Sequence, residues 1–350
     1  MVTFLITHEE KCFLEILIPT YNRSYKLNRL LSILEKEIES IPDKIKIRIT
    51  VSDNHSSDTT QEMLQQHSFR NKIIVRTNSE NIGALRNIWG LYETARATYV
   101  WLLSDDDIPK PGSLHKILDT LIWYEPTVLT FEFEQPIGSQ AINHGNKTGI
   151  EEITDMREAI PHVLVLAKMS TYVVKVEYLQ NALTNVSYLK DTGYGWLAVS
   201  LEIIHLSAIK KVIVFHEFLA SCDENFGNPC DGFSPQWWDD YLLLLDHEIV
   251  KNNCPEYAQN YKYWHNGYVL EMIYGILAGM TNISNLTPFR EKGKEIPFHI
   301  SYIRNPFVVF QWTCLRLGVP ASKAIFRISG RIAGYARKLK RKLLASHERV

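Results

Sequence analysis

The sequence predicts an α/β protein, a mostly parallel sheet flanked by helices, followed by a mostly helical C-terminal region. Three observations predict it. Short apolar runs alternate with segments of helical period from residue 13 to residue 107, the apolar runs end in polar clusters, and from about Trp237 only helical patterning remains. Strands separated by helices pair in parallel, because a crossover helix returns the chain to the same end of the sheet.

The elements follow in order. "FLEILIPTYNR" (13–23) is an apolar run broken by Pro19, as expected of a buried strand that ends in a loop. "SYKLNRLLSILEKEI" (24–38) places Leu27, Leu30, Leu31, Leu34 and Ile38 on one helical face, with Ser24 as its N-cap. "KIRITVSDN" (46–54) is a second strand, and Asp58 precedes a helix over "TTQEMLQQH". "NKIIVRT" (71–77) is a third strand, "GALRNIWGLYETA" (83–95) a helix, and "TYVWLLSDDD" (98–107) a fourth strand. Later, "PTVLTFEFE" and "KKVIVFHEFLA" read as strands and "GWLAVSLEIIHL" (195–206) as a helix. The polar clusters Thr20–Arg23, Asp53–Asp58 and Ser104–Asp107 all fall at strand carboxyl ends, where open α/β sheets gather their ligands.

Composition bounds the class. The 350 residues are 45% hydrophobic and 22% charged, ordinary for a globular chain with a sizeable core. The net charge of -1 conceals a basic tail: residues 323–349 hold nine Lys or Arg and one acid. Five cysteines form no CxxC pair, which argues against a disulfide framework and a zinc site. Charges at His8, Glu9, Glu10 and Lys11 interrupt any signal peptide, and no apolar run reaches the roughly 20 residues a spanning helix needs. A cytoplasmic setting is the expectation. GxxxxGK[ST] and GxGxxG are both absent, so P-loop and dehydrogenase readings have no anchor.

"LSDDD" sets Asp105, Asp106 and Asp107 side by side. Carboxylates do not bind phosphates directly, but Mg²⁺ or Mn²⁺ held by one or two of them bridges to a diphosphate and stabilises charge on a leaving group. The other reading is a solvated turn, since Pro109, Pro111 and Gly112 mark a loop. At neighbouring strand ends, Asp53 can accept a hydrogen bond from a nucleobase N–H. In "NIGALRN" (81–87), Gly83 permits close backbone approach, and Arg86 suits a phosphate or ribose.

These residues carry a family resemblance. "ILIPTYNR", "VSDNHSSDTT", "NSENIGALRN" and "YVWLLSDDD" with Pro111 resemble, in order and spacing, four motifs of the family 2 glycosyltransferases, whose fold is GT-A. The likeness covers residues 15–115 and fades beyond about 200, and "LSDDD" is similar to a branch that builds bacterial surface polysaccharides. It implies a GT-A domain over 12–230, with a nucleotide-sugar half (12–115) and an acceptor half (116–230), and a helical region over 231–350. It also implies that Pro19, Thr20, Tyr21, Asn22, Arg23, Asp53, Asn54, Asn81, Gly83, Arg86, Asn87, Ser104 and Asp105 line the donor site. Aligned with the family's Asp-x-Asp-Asp, Ser104 takes the first Asp, Asp106 is the leading metal ligand with Asp105 beside it, and Asp107 stabilises the loop. The metal would be Mn²⁺ or Mg²⁺.

Family members supply a general base from a Glu-Asp pair about 90 residues after the DxD region, ahead of a helix; "YLKDTGYGW" offers Asp191, in a Lys-Asp pair. Asp191 can equally cap a turn; Glu177 and Asp223 are the other candidates. His216 is a further candidate to approach the metal or diphosphate. In the tail, Ile325, Ile328, Ile332, Tyr335, Leu339 and Leu343 share one helical face amid the basic residues. Such a helix fits an anionic membrane surface or docks on the domain; nucleic acid is not expected. The expected activity is metal-dependent, inverting transfer of a sugar from a nucleotide donor to a hydroxyl of a glycan, lipid-linked where the tail meets the inner face of the plasma membrane. Two alternatives stand: a degenerate transferase that only binds glycan or a partner, kept open by Ser104 and Lys190, and a sugar-phosphate nucleotidyltransferase, disfavoured because "ILIPTYNRSYK" lacks Gly.

Overall fold

A computed structural model describes residues 12–42, 44–67, 73–134, 147–222, 235–277, 286–298 and 306–317. They divide between two compact units, Met1–Phe226 with His247–Cys254, and Gly227–Asp246 with Pro255–Val350.

The first unit opens with the alternation read in the sequence: β1 (Leu14–Thr20), α1 (Ser24–Glu39), β2 (Ile47–Asp53), α2 (Thr60–Gln66), β3 (Ile73–Thr77), α3 (Ala84–Thr94) and β4 (Tyr99–Leu102). It continues through β5 (Asp107–Pro109), α4 (Ser113–Tyr124), β6 (Val128–Glu134), β7 (Gly149–Ile153), α5 (Met156–Leu166), β8 (Tyr172–Lys175), α6 (Leu179–Asn185), α7 (Gly195–Leu206) and β9 (Val212–Cys222). One sheet runs β3-β2-β1-β4-β8-β6-β9-β5, with β7 paired to β9. β3, β2, β1 and β4 are parallel, in a register that sets Thr20 beside Asp53 and Asp53 beside Thr77. The second half of the sheet is mixed: β6 and β9 are parallel, whereas β8 runs antiparallel between β4 and β6.

Leu27, Leu30, Leu31 and Leu34, the helical stripe of α1, are fully buried with Leu14, Ile16 and Ile18 of β1 in one core. Each such side chain stabilises the fold by about 1.5–3 kcal/mol through burial. Ser24 is the first residue of α1, not its cap. Arg23 holds the N-cap position without a side-chain cap, and the Asp58 carboxylate accepts the Ser24 amide at 3.2 Å. The fourth strand ends at Leu102, five residues before the end expected from its apolar run, because Ser104–Asp107 turn away from the ladder.

The second unit is helical where described. It contains α8 (Pro235–Leu245), α10 (Pro255–Leu277), α11 (Thr287–Glu295) and α12 (Pro306–Arg316), while α9 (Glu248–Asn253) belongs to the first unit. Trp238, Leu270, Ile273 and Phe289 lie in the second unit's core. Among the described residues no helix is long and apolar enough to cross a membrane. Asp223 and the basic 323–349 segment lie outside the described residues.

Candidate active site at the strand carboxyl ends

Parallel pairing sets the ends of β1, β2, β3 and β4 along one edge, with the Leu103 amide bonded to the Leu17 carbonyl at 2.9 Å. The acidic cluster begins just beyond, and each of its three carboxylates meets a protein cation. Arg23 Nη1 donates to Asp105 Oδ1 at 2.7 Å and to Asp106 Oδ2 at 2.9 Å. Lys26 Nζ stands 3.7 Å from Asp106 Oδ2, and Lys168 Nζ stands 3.0 Å from Asp107 Oδ1. Hydroxyls take up further oxygens: Thr20 Oγ1 donates to Asp105 at 2.7 Å, Ser104 Oγ to Asp106 at 2.6 Å, and Ser170 Oγ to Asp107 at 2.5 Å.

This environment splits the three acids. Burial pushes Asp105 up to about 6, against the pull of Arg23 and Thr20. Burial acts the same way on Asp106, but the Ser104 hydroxyl and the charges of Arg23, Lys168 and Lys26 outweigh it, so this carboxyl falls below its ordinary value. Asp107 is fully buried and raised by desolvation, which Lys168 offsets in part. Burial thus raises Asp105 and Asp107, while hydroxyl and cation partners lower Asp106.

A divalent cation fits this set at one position. Mg²⁺ and Mn²⁺ take one or two protein carboxylates and complete their octahedra with phosphate oxygens and water. Asp106 is the candidate: its side chain keeps 9% exposure, and its partner Arg23 is 44% exposed. Asp105 and Asp106 both have their oxygens occupied, so exposure ranks them: Asp105 is less accessible at 3%, and Asp107 is sealed. Among the described residues no group of three His, Cys, Asp or Glu is arranged for a metal.

Asp53, at the end of β2, is fully buried, and its oxygens accept from Ser56 (amide 3.1 Å, hydroxyl 2.5 Å) and from Gln61 Nε2 at 3.1 Å. The Gln61 amide thus holds the place expected for a base N–H. Asn22 has a positive φ of 52°, and its side chain accepts the Ser57 amide at 2.8 Å, tying the loop after β1 to the loop after β2. Tyr21 beside it is 41% exposed, while Pro19 is part-buried within β1.

The asparagines form a scaffold. Asn54 Nδ2 donates to Asn81 Oδ1 at 2.7 Å, and Asn54 Oδ1 accepts from Asn78 and the Ile82 amide. Asn87 accepts from Ser52 and Asn78 and donates to the Ser52 carbonyl. Asn54 and Asn87 are buried, so they shape the loop before α3. Gly83 precedes α3 with φ of 86°, and a Cβ there would meet nothing within 4 Å, so glycine serves for its backbone conformation.

Arg86 Nε donates to Asp191 Oδ1 at 2.8 Å and Arg86 Nη2 to Oδ2 at 3.4 Å. The pair joins the two halves read in the sequence. Hydrogen bonding and charge from Arg86 hold the Asp191 carboxyl below the ordinary range.

Two candidates are corrected. Glu177 lies beyond the amino end of β4, because antiparallel β8 pairs Lys175 with Tyr99; this is the opposite end of the sheet from the acids. His216, on β9, lies opposite Gly149, six residues before the Cys222 that pairs with Asp107, and its Nε2 meets Glu151 at 2.9 Å, so it stands apart from Asp106. Sequence reading passed over Lys26, Gln61, Lys168 and Ser170. Lys26 carries a signal, since it stands one helical turn after Arg23, but the others meet the site only through tertiary folding.

The model of "Glycosyl transferase family 2" matches residues 15–191, just over half of the chain. An abequosyltransferase, RfbV, of Salmonella typhimurium is 36% identical over 107 residues, covering 30% of this chain and 31% of that protein; the chain thus matches about a third of this curated relative's length. Among solved structures, S. aureus TarS 1–349 in complex with UDP-GlcNAc superposes with a TM-score of 0.57 at 14% identity, covering 88% of this chain and 89% of that one. The TarS 1–349 complex with UDP gives 0.55 at 14% identity, covering 87% and 80%. These structures share the GT-A arrangement of a central sheet flanked by helices. With the family model spanning both the acidic turn and Asp191, the chain belongs to glycosyl transferase family 2.

Proposed function

We propose that the protein is a nucleotide-sugar-dependent glycosyltransferase that moves a sugar, with inversion, onto a hydroxyl of a glycan acceptor in polysaccharide biosynthesis. The observation that carries this is the convergence of the loops after β1, β2 and β4 with Arg86 and Asp191 at one edge of the sheet. The family, and the abequosyltransferase among its relatives, support the reaction class.

The nucleoside would lie over Tyr21 and the loop of Asn22, its base displacing Gln61 from Asp53. Asp106, with Asp105 beside it, would hold Mn²⁺ or Mg²⁺, which supplies charge neutralisation on the departing diphosphate. Arg86 and Arg23 add cationic partners for the phosphates. Asp191 takes the proton of the acceptor hydroxyl as that oxygen bonds to the anomeric carbon and the bond to the phosphate oxygen breaks, which inverts the centre. The basic amphipathic pattern of 323–349 supports contact with an anionic membrane surface, hence a lipid-linked acceptor and a peripheral cytoplasmic location.

The test is release of nucleoside diphosphate from UDP-, GDP- and dTDP-sugars by the purified chain with Mn²⁺ and a hydroxyl-bearing glycan acceptor. The expected result is release from one donor class, abolished by Asp106→Ala. Absence of release from all three would count against this function and favour a binding protein without turnover.

A further inference from the structure

The candidate base is already occupied. Arg86 and Asp191 are more than half exposed, with side-chain exposures of 62% and 51%, yet they meet through two donor atoms across 105 positions of chain. Among the described residues no second acid pairs with Arg86. A carboxylate gripped in this way gives two of its roughly four acceptor sites to the guanidinium and, beside that fixed cation, is a weaker base for another proton. The guanidinium is also the natural partner of a diphosphate, which offers more charge and the same two-pronged geometry.

We propose that Asp191 and the donor diphosphate compete for Arg86, so that donor binding frees the base and acceptor attack follows donor binding. The inference rests on the donor reading above. Arg86 turns toward the phosphates when they arrive, and Asp191 then recovers an oxygen able to accept the acceptor's proton. Without a donor the base stays masked, so a water or a stray hydroxyl meets no activated site. Lys190, adjacent in the chain, is the other cation acting on Asp191; it cannot give the paired geometry seen with Arg86 Nε and Nη2.

Competition has a consequence of unusual sign: removing the base tightens donor binding. The experiment is calorimetric titration of the full chain with UDP, GDP and dTDP, for the wild type, Asp191→Ala, Arg86→Ala and the double variant. Both side chains are on the surface, so the fold tolerates the changes. An exposed ion pair biases an equilibrium by a factor of about two to five, and Asp191→Ala should tighten the binding nucleotide by that factor. Arg86→Ala should weaken it, and Asp191→Ala should have no further effect in the Arg86→Ala background. Unchanged or weaker binding by Asp191→Ala overturns the inference alone. So does tightening that persists without Arg86, which would be simple removal of a nearby negative charge. Failure of the wild type to bind any of the three overturns the donor reading itself, and the inference with it.

Discussion

Lys168 stands beside a carboxylate that no water reaches, and that pairing fixes the acidic turn. Asp107 is wholly buried between Lys168 and Ser170, and the Ser170 hydroxyl also accepts the Ser104 amide at 3.0 Å. Stripping the cation from a buried pair leaves an uncompensated charge, so Lys168→Met should cost about 3–5 kcal/mol in urea unfolding. Adding Asp107→Asn should recover part of that loss, because no buried anion then remains; equal stability of the single and double variants would refute the pairing. The three adjacent Asp were legible in the sequence as a cluster in need of positive charge. What answers it was not: Arg23 arrives from the N-cap of α1, Lys26 from its first turn and Lys168 from a turn before β8, and their meeting with the acids depends on the sheet order. Asp53 shows the same limit, since its strand-end position was readable and its capture by Gln61 was not.

At the scale of elements, the turn carrying Asp191 is held by close approach. A Cβ on Gly195 would stand 2.5 Å from the Leu189 carbonyl oxygen, a backbone atom that cannot yield without moving the turn between them. Gly195→Ala should therefore destabilise by about 1–3 kcal/mol, read by thermal unfolding, and should lower turnover through Asp191. A nearby element adds a pH dependence. His247 precedes α9, its Nδ1 accepts the Ile249 amide at 3.3 Å, and burial pushes its pKa below the ordinary value, with Glu202 and Glu248 opposing. The folded state resists a proton that the unfolded chain accepts, so stability present above the unfolded histidine pKa of about 6.5 is lost as pH falls below it. Asn can replace the cap without titrating, so His247→Asn should lose less stability than the wild type between about pH 7.5 and 5.5. Equal losses would show that His247 is not the group responsible. The period-3.6 and apolar-run signals made β1 to β4, α1 to α3 and α7 readable, and α7 agrees end to end with its apolar segment. β7, with the sequence GIEEI, is short and largely polar, and it is a strand because β9 offers it an edge.

For the whole molecule, the sequence showed a parallel sheet and the end of it at which ligands gather, because strand-helix alternation dictates both. It did not show that β8 enters the sheet antiparallel, which is what sends Glu177 to the far end and leaves Asp191 facing Arg86. The central claim is that the strand-end acids, balanced by Arg23, Lys26 and Lys168, form the seat of a nucleoside diphosphate and its metal. Calorimetric titration with UDP, GDP and dTDP, each with Mn²⁺ and with EDTA, tests it most directly. One nucleotide should bind, EDTA should weaken it, and Asp106→Ala should remove the difference between Mn²⁺ and EDTA. Binding that is equal with and without metal, or a metal effect that survives Asp106→Ala, would contradict the claim.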